Sequence, residues 1–330
     1  MDNTVTNDTP LKTRLGQLGW RFAIMWAIMH ILATIIEIII IKAAPDFYSE
    51  YEGYIALLNT VLCIYIIAFP VLCLLVKKIP ASSPQKHKLG FWKWCICALI
   101  MAGLTLMGII AGFPIHAVLT IPFTGEMTNE ISNIMLSTNV FIRAFVVGIL
   151  APIFEELMFR KLLIDRLRNY GEYVCIVLSG IMFGLLHGNF SQFFFATAIG
   201  MFFAFLYLRT GNIKNTIFLH MAMNLTTSII TTELIAKVFP YIESGDLTTT
   251  EAQLWFLIYT FYIMGLLAIA VTGIVLFFVF LNKMKLKTIP GEASRKEIRK
   301  SLLTTPKLWI YYTCCIISFL LAYVPAMLGM

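Results

Sequence analysis

Two adjacent carboxylates, Glu155 and Glu156, stand in the stretch FEELMFR with Arg160 completing it. Further on, His187 lies in FGLLHGN, and His220 and Asn224 stand four apart in HMAMN. A carboxylate in a low-dielectric setting can act as a general base, and a histidine beside it can share the polarising of a water. A His/Asn pair on one helical face can donate to the oxyanion of a tetrahedral intermediate. Together these groups can hydrolyse an acyl bond. Glu155, His187 and His220 could equally hold a divalent metal such as zinc with one position left open. Against that, HExxH is absent and no two histidines are spaced i,i+4. GxSxG and a clear Ser/His/Asp arrangement are also absent, so serine chemistry has little support.

The spacing separates the two acids. Glu156 and Arg160 are i,i+4 with the acid N-terminal, the better order for a helical ion pair. Glu155 points about 100° away, free for another task. The plain alternative is that both acids mark the end of an apolar span. A single histidine in such a span is commonly a packed, hydrogen-bonded residue, so the weight rests on the combination.

The elements that must position these groups are membrane helices. Of 330 residues 59% are hydrophobic and 13% charged, with mean hydropathy +0.83, which excludes an ordinary soluble domain. Nine apolar segments are long enough to cross a hydrocarbon core of about 30 Å. They run over Phe22 to Ile41, Tyr54 to Val76, Trp94 to Ala111, Val140 to Leu163, Tyr173 to His187, Phe190 to Leu208, Ile213 to Ile230, Leu254 to Leu281 and Leu308 to Leu328. Their continuous apolarity favours helices over a β-barrel. The fold class expected is therefore all-α and polytopic, a bundle of eight to nine transmembrane helices.

Threading the loops alternately puts all of the 25 lysines and arginines on one side except Lys42, Arg143 and Lys237. The acidic loops fall opposite: Asp46, Glu50 and Glu52, then Glu126 and Glu130, then Glu243, Asp246 and Glu251. A cytoplasmic N-terminus follows from the positive-inside rule. The net charge of +7 is then accounted for by topology and anionic lipid, with no nucleic-acid partner. The first apolar run is long and lacks an A-x-A-like site, as in a retained signal anchor. All seven cysteines lie in apolar segments and read as small buried hydrophobes.

Three parts are expected: residues 1–139 with the first helices, 140–232 with the chemistry, and 233–330 with two closing helices and a basic loop. The stretch KKIPASSPQKHKLG and the connection around Gly291 read as solvated connectors. His30 and Glu37 share one helical face; these two and Arg143 are expected to make packing contacts or line a substrate path. His116 and Lys237 are expected in loops or at the interface. One difficulty concerns depth, since simple threading places Glu155 and His187 too far apart to share a water. Either HGN is a break within the membrane, or the Glu155 helix is long and tilted; a mixture of the two is expected.

At these residues the sequence resembles the CPBP family, the CAAX protease and bacteriocin-processing (Abi) group of intramembrane endopeptidases. Glu155, Glu156 and Arg160 match its EExxxR, Phe183 and His187 its FxxxH, and His220 and Asn224 its HxxxN. The likeness spans about Ala151 to Asn224, and the order and distances of the three motifs make it specific. It implies that Glu155 and His187 activate water, that Glu156 and Arg160 hold the site, and that His220 and Asn224 stabilise the oxyanion. It also implies a peptide or lipidated-peptide substrate met among membrane lipids; short loops without any large soluble domain suit a bacterial plasma membrane, with the ER as the alternative. A metal-free glutamate mechanism is expected, because an amide such as Asn224 is a poor zinc ligand. One departure is Lys161, where many bacterial members carry glycine after the motif arginine, which bears on the packing of that helix. A non-catalytic regulatory or immunity partner and a proton-coupled transporter are the competing classes. The transporter would need an inverted repeat of broken helices, and none is visible.

Overall fold

The computed structural model of the protein describes residues 9–124, 130–245, 247–289 and 292–328. The described residues form eleven helices and no strand. These are α1 (Leu11–Ala43), α2 (Pro45–Val76), α3 (Phe91–Thr124), α4 (Glu130–Ser137), α5 (140–167) and α6 (Glu172–Leu186). Then come α7 (Phe190–Thr210), α8 (213–244), α9 (Thr250–Leu281), α10 (Arg295–Thr304) and α11 (Pro306–Leu328). The protein is thus an all-α, multi-pass membrane protein. Glu126, Asp246 and Gly291, expected in connecting loops, lie outside the described residues.

Six helices, α1, α2, α3, α7, α9 and α11, are long and apolar enough to cross a membrane. The exceptions are informative. Helix α6 has only 15 residues. Helix α5 carries Arg143, Glu155, Glu156 and Arg160, and α8 is threaded with Asn, Thr and His, so the residues that could do chemistry are those that lower apolarity. Contacts at the two ends show that the long helices alternate in direction. At one end Ser82 meets Asp165, His87 meets Thr210, Tyr170 meets Thr9, and Gly19 packs on Leu308. At the other, Tyr54 meets Asn139, Ser318 meets His30, and Tyr323 meets Phe190.

Helix corners follow from local chemistry. In HGN, Gly188 takes φ 67° and the Asn189 side chain accepts from the Gln192 amide at 2.9 Å, capping α7. TGN repeats the device: Gly211 takes φ 58° and Asn212 accepts from the Lys214 amide at 3.2 Å. Glycine also sets helix spacing. A Cβ on Gly273 of α9 would sit 1.8 Å from the Leu99 carbonyl oxygen of α3, and one on Gly200 of α7 3.0 Å from the Gly180 Cα of α6. Such close approach replaces the hydrophobic drive that lipid removes. Outward faces are apolar, as on α9 with Phe261, Met264, Leu267 and Phe278 exposed.

Two expectations change. Residues 77–90 are not a free connector but a strap across the helix ends. Ser83 Oγ donates to Asp165 Oδ2 at 2.6 Å, Arg168 to the Ser83 carbonyl at 2.7 Å and Arg14 to the Pro80 carbonyl at 3.1 Å. Proline and serine leave backbone and hydroxyl groups free to take such partners. Helix α3 continues past Ala111 to Thr124 through Pro114, so His116 is no loop residue. It is 6% exposed, with Nδ1 3.1 Å from the Tyr323 hydroxyl. Prolines persist in membrane helices because neighbouring groups re-satisfy the backbone.

The remaining polar residues serve packing. His30 stacks on Trp26 and meets Ser318, and Glu37 accepts from Asn59 at 3.1 Å. Arg143, 2% exposed, donates to the Ser228 carbonyl at 2.9 Å and pairs with Glu233, tying α5 to α8. Lys237 lies over the Trp255 ring. Lys161 points outward, 44% exposed, on Asp165 and Ser83, so replacing glycine there costs no packing. The seven cysteines are free thiols.

Candidate active site

The site is built on α5, α6 and α8. Glu156 is fully buried, and Arg160 Nε lies 3.0 Å from its Oε2, as an ion pair rather than an aligned hydrogen bond. The i,i+4 pairing expected from spacing is therefore present. A buried ion pair survives only where further groups compensate both charges. Arg160 is sandwiched by Phe183 at 4.9 Å and Phe203 at 5.5 Å, and its Nη2 reaches the Gly200 carbonyl at 3.5 Å. On Glu156 the second oxygen takes His220 Nδ1 at 3.2 Å, while the Thr216 hydroxyl, one turn earlier on α8, donates to the Ile213 carbonyl at 3.0 Å.

His220 links the two acids. Its Nδ1 meets Glu156, and its Nε2 lies 3.7 Å from Glu155 Oε2. Glu155 itself turns to open space, as the 100° offset requires. It is 18% exposed and lines a cavity of about 230 Å³ with Tyr65 and Thr60 of α2, Val147 and Met158 of α5, and Leu186 of α6. The walls are otherwise apolar.

Phe183 is the hub that sequence reasoning treated only as part of a motif. Its ring meets Phe159 at 5.4 Å, His187 at 5.0 Å and His220 at 5.7 Å, as well as Arg160. Both histidines therefore flank one ring. Depth is explained by length. Helix α6 spans about 22 Å before the corner at Gly188, while Glu155 lies about 18 Å along α5 from the same end. The corner falls inside the bundle at nearly the level of Glu155, and the Glu155 helix is long, as expected.

Hydrogen-bond partners fix the tautomers. The Phe183 carbonyl, 2.9 Å from His187 Nδ1, can only accept, so that nitrogen carries the proton. The same holds for His220 Nδ1 against the Glu156 carboxylate. When neutral, each ring presents an unprotonated Nε2. Asn224 stands on the same face of α8 as His220, but its amide donates to the Val147 carbonyl at 2.9 Å. It ties α8 to α5, and the oxyanion role expected of it would use the remaining amide hydrogen.

Thr216 was missed. The signal was present as a stripe at intervals of four, Thr216, His220, Asn224 and Ser228, along the face of α8 that meets α5. Also not legible were the wide helical turns, with i→i+5 bonding, at Thr60–Ala68, Ala144–Leu150 and Leu157–Ile164. All three supply cavity walls, and such turns recur at functional sites. Among the described residues no three His, Cys, Asp or Glu side chains converge as a metal-binding group.

A membrane helix bundle that closes off Glu156 with His220 and opens Glu155 on a cavity is an arrangement that could hydrolyse a bond within the membrane. Comparison with known proteins makes this specific. Residues 137–226 match the family of type II CAAX prenyl endopeptidase Rce1-like proteins. YdiL of Bacillus subtilis (strain 168), whose name describes a membrane peptidase, is 30% identical over 195 residues, 58% of this chain and 76% of its own length. The membrane-embedded CAAX protease MroQ of Staphylococcus aureus (strain USA300) is 24% identical over 212 residues, 61% of this chain and 85% of its own. No solved structure matches the chain significantly. The chain belongs to this CPBP-type family of intramembrane proteases.

Proposed function

We propose that the protein hydrolyses a peptide bond of a membrane-associated peptide, prenylated or carrying a leader, with water activated by Glu155 and His187. The observation that carries this reading is the division of labour between the acids: Glu156 is closed off by Arg160 and His220, and Glu155 opens on the cavity. Water between Glu155 and the free Nε2 of His187 gives up a proton as its oxygen bonds to the scissile carbonyl carbon. The carbonyl electrons move to oxygen. The tetrahedral intermediate collapses, the C–N bond breaks, and the proton passes to the leaving amine. Glu156, paired with Arg160, holds His220 in place. The apolar cavity walls suit an aliphatic or prenyl-bearing segment, as the names of the CAAX relatives suggest. No metal takes part, and the basic end of the bundle faces the cytoplasm.

The test uses the full chain in lipid nanodiscs. One substrate is a quenched-fluorescent peptide ending in a farnesylated Cys-aliphatic-aliphatic-X sequence. The other is any peptide that accumulates in Glu155→Gln cells but not in wild-type cells. Glu155→Gln and His187→Ala are each expected to abolish cleavage in folded protein. Wild-type activity in either rejects the roles, and full complementation of a deletion by Glu155→Gln points to a non-catalytic partner. A chelator such as EDTA is expected to leave the rate unchanged; loss restored by zinc would replace the metal-free mechanism.

A further inference from the structure

The site as described is rich in bases and poor in donors. Neutral His187 and His220 both present Nε2 lone pairs, and the Asn224 amide, bonded to the Val147 carbonyl through one hydrogen, has a single one left to give. Charge growing on a substrate oxygen needs an oriented N–H or O–H, commonly the largest single contribution to such catalysis. Tyr65 of α2 stands on the cavity that Glu155 lines. It is 5% exposed, and its ring is stacked on Phe154 at 4.4 Å and 12°. Tyr170, Tyr207, Tyr311 and Tyr323 all find protein partners for their hydroxyls. No hydrogen bond joins the Tyr65 hydroxyl to any described residue. A buried phenol usually has a partner, so an open one beside a carboxylate is a donor kept for something else.

Resting on the hydrolytic reading above, we propose that Tyr65 is a further catalytic residue, whose hydroxyl donates to the scissile carbonyl oxygen as it becomes an oxyanion. It loses and gains no covalent bond; the phenol O–H bond shortens its contact as charge builds and releases it when the C–N bond breaks. The wide turn Thr60–Ala68 sets the ring against Phe154, and Phe154 precedes Glu155, so one stack ties the donor on α2 to the base on α5.

Tyr65→Phe keeps the ring, the stack and the cavity volume and removes only the hydroxyl. With the same nanodisc preparation and peptides, kcat is expected to fall about 10²-fold. KM and the thermal midpoint should stay near wild type. Affinity of the intact peptide for Glu155→Gln protein should be the same with and without Tyr65→Phe. Wild-type kcat in Tyr65→Phe, or a loss confined to KM, overturns the proposal. The two readings fail separately: activity in Glu155→Gln sinks the hydrolytic mechanism, whereas dead Glu155→Gln with fully active Tyr65→Phe sinks only the role of Tyr65.

Discussion

Helices α3 and α9 cross the same bundle as α5 and α8 and are joined by opposite means. Between α3 and α9 the contact is backbone on backbone, with Gly103 and Gly273 leaving no room for a methyl group. Between α5 and α8 it is polar, through Glu156 with His220, Val147 with Asn224 and Arg143 with Ser228 and Glu233. In lipid the first kind is cheap and unspecific in chemistry, since dispersion alone rewards it. The second ties each polar atom to one partner, because an unpaired polar group in an apolar medium carries a heavy penalty. What this teaches is that the helix pair carrying the candidate site is the expensive one, kept in a single register by its buried polar groups.

The comparison breaks most visibly at Arg160. Arg160→Met leaves the Glu156 carboxylate buried without its cation, a change that costs about 3–5 kcal/mol. The expected result is a large fall in thermal midpoint and in membrane-extracted yield, with the double variant Glu156→Gln/Arg160→Met recovering the fold but not the activity. Next is Gly273→Ala, whose methyl group would meet the Leu99 carbonyl and force α3 and α9 apart. Overpacking of this kind costs about 1–3 kcal/mol. The midpoint should fall while cleavage per folded molecule holds at the wild-type rate; a fall in kcat would show that the apolar pair also positions the site. Smallest is Thr216→Val, which removes a buried hydroxyl bonded to the Ile213 carbonyl for about 1 kcal/mol. Calorimetry should register a shift of a few degrees while the peptide assay stays near the wild-type rate.

How much of this could be read from the chain depends on the kind of interaction. Glu156 with Arg160 was legible because an i,i+4 pair lies on one helix and needs no knowledge of neighbours. The two acids separated for the same reason, and Glu155 faces the cavity as the 100° step demands. His187 was legible as a residue but not in depth, because a 15-residue helix and a left-handed Gly188 place the corner inside the bundle. Asn224 was read as an oxyanion donor, yet its partner, the Val147 carbonyl, is 77 residues away in the chain. The strap at 77–90 looked like solvent-facing linker because its anchors, Asp165 and Thr210, belong to distant helices.

The sequence by itself determined the solvent, the helical class and the identity of the ionisable groups, since apolar run length and helical periodicity are local properties of the chain. Only the tertiary structure decided the rest. It set which nitrogen of each histidine is free, which acid meets the cavity, and that the hydroxyl of Tyr65 stands open beside it, because those depend on distant side chains and carbonyls brought within about 3 Å, the reach of a hydrogen bond.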